Sequence, residues 1–157
     1  MAYIGKAFLS EHNLEQLLWN IIVLECLLGG STKEVKGTLK RRVGNILGAT
    51  TKERSKIQTE FSDLYDFRSD LVHGRSFDKK TEFNHLQKAR IIAQRVMSWF
   101  VDYLLWVDND FREREISYEH YPRREELLMA LDVERPALNR LGQLLPRLPT
   151  GFPSKMR

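Results

Sequence analysis

Arg68, Asp70 and His73 stand close together in the stretch LYDFRSDLVHG, residues 64–74. They supply a fixed cation, a carboxylate and a base that titrates near neutral pH. Those are the parts needed to cleave a phosphodiester through a neighbouring hydroxyl. A histidine moves the proton, and an arginine stabilises the charge on the phosphorane. Asp70 precedes His73 by three residues, so on a helix it shares a face with the imidazole and is positioned to orient one ring nitrogen. Arg68 and His73 are five residues apart, about 140° around and about 7.5 Å along an ideal helix. By itself a histidine at a helix end is more often a capping or surface residue than a catalyst.

Two charges interrupt apolar faces. At helical spacing Glu25 falls within the stripe of Leu14, Leu18, Ile21 and Leu28, and Arg68 falls among Phe61, Leu64 and Leu71. A buried charge without a partner is costly, so Glu25 and Arg68 are expected to face each other. An inert structural ion pair satisfies the same pattern. The remaining chemistry-bearing residues are weaker. Asp63, Asp66 and Asp70 share a helix face that suits Mg²⁺, although a solvated face is the commoner meaning. His12, His85 and His120 lack zinc spacing. Cys26 reads as a packing residue, and no phosphate-binding loop is present.

The elements that must position these groups are helical. Leu14, Leu17, Leu18, Ile21, Ile22 and Leu28 form a first stripe ended by Gly29-Gly30. Ser31 and Glu34 fit a capping box before a second stripe, Val35, Leu39, Val43, Ile46 and Leu47. Thr50 and Glu53 fit another, before Ile57, Phe61, Leu64, Leu71 and Val72, closed by Gly74. A longer fourth pattern runs through Leu86, Ala89, Ala93, Val96, Met97, Phe100, Leu104 and Val107. Trp99, Tyr103 and Trp106 follow it and suit a core or a subunit interface. No segment has strand alternation bounded by hairpin turns. The expected fold is all-α: an antiparallel four-helix bundle over 1–109, with a charged, Pro-rich, partly helical extension over 110–157 packed on or near it.

The RS-x-LVHG form near the end of the third helix resembles the Arg-x4–6-His motif of HEPN domains, most closely the Apea-like group. Leu24-Glu25 before Leu27-Leu28 on the first helix fits the same pattern, and the resemblance spans roughly residues 10–107. It implies a helical bundle that dimerises and brings Arg68 and His73 together as the catalytic pair of a metal-independent endoribonuclease, with no cofactor. Such domains serve as toxins or phage-defence effectors, so an antitoxin or regulatory protein is an implied partner. Ser69 takes the polar position where many members have Asn, Asp or His. Members silenced by a nucleotidyltransferase antitoxin have a tyrosine two residues after the histidine. Arg75 stands there instead, so AMPylation at that position is not expected. Some HEPN domains are non-catalytic and bind nucleotides or proteins, which is the alternative reading.

Composition agrees with a globular protein. The chain has 157 residues, 29% charged and 42% hydrophobic, with a net charge of +4. Between Lys33 and Lys56 lie eight basic and two acidic residues, a local +6 that attracts phosphate backbones. Lys40, Arg41 and Arg42 from this segment, together with Arg75, are the expected contacts to single-stranded RNA. Glu25, Ser69 and Asp70 are the expected supporting residues. One cysteine excludes an internal disulfide, and no membrane-spanning run or secretory signal is visible, so a cytoplasmic homodimer is expected.

Overall fold

The stop signals at Gly29-Gly30 and Gly74 each close a helix in the computed structural model, which describes residues 12–30, 34–114 and 124–132. Among these residues the protein is all-helical, with five helices: α1 (Asn13–Leu28), α2 (Val35–Leu47), α3 (Thr51–Val72), α4 (Lys79–Arg114) and α5 (Arg124–Asp132). α1 stops where Gly29 turns extended and its N–H donates to the Glu25 carbonyl at 2.7 Å. A Cβ on Gly29 would lie 2.2 Å from that oxygen, so only glycine closes this end without displacing backbone.

The Thr50–Glu53 capping box forms as expected. Glu53 N–H donates to Thr50 Oγ1 at 3.1 Å, and Thr50 N–H donates to Glu53 Oε2 at 3.0 Å. The Ser31–Glu34 expectation is corrected. Glu34 is itself the N-cap of α2 and makes no side-chain capping bond, while Ser31 lies outside the described residues. At the head of α4, Asp78 accepts from the N–H groups of Lys80 and Thr81, each at 3.0 Å.

α2 and α3 form a tight antiparallel hairpin, and α1 packs chiefly along α4. Leu17, Ile21, Leu24 and Leu28 of α1 meet a core shared with Leu39, Val43, Phe61, Leu64, Leu86, Ala93 and Val96. Full burial of each large apolar side chain contributes about 1.5–3 kcal/mol before entropic costs. α5 seals α2 with Leu127, Leu128, Ala130 and Leu131.

Three positions of the apolar stripes are not core. Val35 is 39% exposed in the first turn of α2, Val72 is 59% exposed because α3 ends there, and Leu104 is 62% exposed beside exposed Val101 and Leu105. Cys26, expected to pack, is exposed as well. The 36 residues of α4 span about 54 Å, far more than the 16-residue α1 can cover. Trp99 and Tyr103 do enter the core, stacked at 6.2 Å, while the Trp106 side chain lies outside the described residues. α4 also runs past the boundary expected after residue 109, to Arg114, and the Pro-rich segment beyond Asp132 lies outside the described residues. No helix among the described residues is long and apolar enough to cross a membrane.

Candidate functional site

The last turn of α1 carries Glu25, and one face of α3 carries Tyr65 and Arg68, three residues apart. Arg68 Nη2 lies 4.0 Å from Glu25 Oε1, so the pairing expected from periodicity is present. The expected deep burial is not. The two side chains keep 30% and 26% exposure, because α1 and α3 touch only briefly while each packs mainly on another helix.

The closer partner of Glu25 is Tyr65, whose hydroxyl donates to Glu25 Oε1 at 2.8 Å. Burial, and the neighbouring Glu25 carboxylate that accepts this bond, push the Tyr65 phenol up to about 12, against a smaller opposing effect of Arg68. The Tyr65 ring leans on fully buried Phe61 at 6.1 Å, and the Arg68 guanidinium lies 5.6 Å from the Tyr65 ring centroid. Arg68 donates no hydrogen bond to any described residue, so a charge and a ring hold it while its N–H groups stay open. Tyr65 went unnoticed at the level of sequence. Its signal was an aromatic residue three positions before an arginine on one helix face.

His73 is the C-cap of α3, and its backbone N–H donates to Ser69 O at 3.0 Å. Its side chain is exposed and has no partner among the described residues. Gly74, at φ +81, then reverses the chain. That turn brings Arg75 back over Asp70. Arg75 N–H donates to Asp70 O at 3.0 Å, and Arg75 Nη1 meets Asp70 Oδ2 at 3.0 Å. Asp70 therefore serves Arg75 and does not orient His73, which corrects the role expected for it. Arg75 itself stays largely exposed beside His73. Because α3 is regular through Val72, Arg68 and His73 point about 140° apart and do not converge within one chain.

The basic cluster of α2 divides. Arg42 is 4% exposed and is no RNA contact. Its guanidinium donates to Asp132 Oδ1 at 2.8 Å and Oδ2 at 2.6 Å, and to the Leu28 carbonyl at the end of α1. Arg41 Nη2 also reaches Asp132, at 3.3 Å, while keeping an exposed edge. Burial pushes the Asp132 carboxyl up, but the bonds and charges of Arg42 and Arg41 prevail and hold it below the usual range. Arg124 completes this junction by donating to the carbonyls of Cys26 and Gly29, each at 2.9 Å. Sequence reasoning had no means of linking Arg42 to an acid ninety positions away. Lys40 remains on the half-buried flank of α2.

In the acidic row of α3, Asp66 pairs with Lys36 at 2.6 Å and Asp70 with Arg75. Among the described residues, no group of three His, Cys, Asp or Glu side chains is disposed to hold a metal ion. No family model, curated protein or solved structure matches this chain.

Proposed function

We propose that the chain is a HEPN-type endoribonuclease that cleaves single-stranded RNA as a homodimer, in the manner of a cytoplasmic toxin or phage-defence effector. The observation that carries this reading is Arg68. It is a partly exposed arginine whose N–H groups donate to no described residue, on the helix whose end presents an exposed histidine. Phosphate oxygens are the natural acceptors for such a fork. His73 takes the proton from the ribose 2′-hydroxyl, whose oxygen attacks the adjacent phosphorus. Arg68 stabilises the charge on the equatorial oxygens. The 5′-oxygen leaves and takes up a proton, giving a 2′,3′-cyclic phosphate and a 5′-hydroxyl. Arg75, two residues from His73, is suited to a backbone contact beside this centre, and Lys40 on α2 is a further cation for the same strand. Since the two groups diverge on one helix, a two-fold axis that sets Arg68 of one protomer against His73 of the other supplies the composite site.

A second reading, a non-catalytic HEPN-like dimer that binds a nucleotide or protein, is favoured by one observation. Asp70 is engaged by Arg75, which leaves the imidazole without an orienting carboxylate among the described residues. Labelled single-stranded RNA separates the readings. Wild type should cleave it in the presence of EDTA, and Arg68→Ala and His73→Ala should each be nearly inactive. A refolded mixture of the two variants should regain activity through heterodimers. An intact RNA with dimeric wild type supports the binding module. Dependence on Mg²⁺ would refute the histidine–arginine mechanism.

A further inference from the structure

We propose that Tyr65 is a positioning residue that keeps Arg68 available to phosphate by occupying Glu25. This inference rests on the ribonuclease reading for its consequence, but its geometry stands apart from that reading. A carboxylate and a guanidinium left to themselves close into a two-point pair with N···O distances of about 2.7–2.9 Å. Here the nearest approach is 4.0 Å, beyond hydrogen-bonding distance. The oxygen nearest Arg68 is the one that already accepts the Tyr65 hydroxyl, at 2.8 Å. The phenol is held in place from behind by Phe61, and from its position one turn before Arg68 its ring supports the guanidinium. Glu25 therefore contributes its field without capturing the arginine, and the N–H fork stays unspent. Its high pKa keeps the phenol protonated and donating throughout the physiological range.

Removing only the hydroxyl should reverse this. In Tyr65→Phe the ring and its packing remain, but Glu25 Oε1 loses its donor. The carboxylate then closes onto Arg68, and a phosphate must break a charge-assisted pair before it can bind. Exchanging Glu25 for glutamine in the same protein removes the captor and should restore the arginine. A purely structural role for Tyr65 does not foresee that rescue.

The test uses the full chain and a single-stranded RNA carrying 2′-O-methyl groups, which binds without being cleaved. Tyr65→Phe should weaken binding by roughly tenfold or more, the worth of one charge-assisted hydrogen bond. Tyr65→Phe/Glu25→Gln should return to within about threefold of wild type, on the usual spread of such contributions. Binding by Tyr65→Phe equal to wild type overturns the proposal, as does a double variant no better than Tyr65→Phe. If wild type neither binds nor cleaves RNA, the ribonuclease reading fails. The proposal is then decided on the Arg68 side chain itself, from the water exchange of its Nε–H proton in nuclear magnetic resonance. That exchange should slow in Tyr65→Phe and recover in the double variant. Unchanged exchange overturns the proposal.

Discussion

Arg42→Met separates a residue that holds the fold from one that would hold RNA. Arg42 is 4% exposed, makes a two-point bond to Asp132, and donates to the last carbonyl of α1. Methionine replaces much of the stem's volume but none of these bonds. Removing one partner of a buried ion pair costs about 3–5 kcal/mol. Two features reduce that figure here. Asp132 keeps 27% exposure, so water can re-solvate it, and Arg41 remains at 3.3 Å. The expected loss is about 3 kcal/mol, or roughly 6–12 °C in Tm for a domain of this size. Urea denaturation measures the free energy. Hydrogen exchange over Arg124–Asp132 should show α5 opening before the rest of the molecule. Lys40→Met, on the same helix without such bonds, should leave stability within about 0.5 kcal/mol of wild type. If Arg42→Met melts within about 1 °C of wild type and instead lowers the salt dependence of RNA binding, the buried junction is wrong and the RNA contact is right.

Two further outcomes follow from the geometry. The His85 ring stacks on Phe67 at 4.0 Å, and burial, reinforced by Lys88 against a smaller pull from Asp63, lowers its pKa. The unfolded chain thus binds this proton more readily, so the ring's contribution is complete above pH ~6.5 and is lost as pH falls through the folded value. His85→Phe should flatten stability between about pH 7 and pH 5, and an unchanged profile would remove His85 as the cause. Glu25→Gln should cost about 1 kcal/mol or less, because the Arg68 pair is partly exposed and shares no hydrogen bond. A loss above about 2 kcal/mol in chemical denaturation would mean a drier and tighter pair.

Features that depend on neighbours along the chain were legible in the sequence. The Thr50–Glu53 box, the stop at Gly29 and the reversal at Gly74 are local hydrogen-bond and backbone requirements, and the apolar stripes follow from helical spacing. The facing of Glu25 and Arg68 was legible as well, since two charges on two apolar faces have few other ways to be satisfied. The depth of that pair was not legible, because it depends on how briefly α1 and α3 touch. The long reach of α4 likewise exposed Leu104, which its periodicity marks as core. Asp70 shares a helix face with His73, yet the turn at Gly74 gave it to Arg75. Arg42 reads as one of three basic surface residues, and only the docking of α5 buried it against Asp132. Helical periodicity marks which face of a helix is apolar. Which element covers that face, and which side chain first reaches a given carboxylate, is settled only when the helices meet in three dimensions.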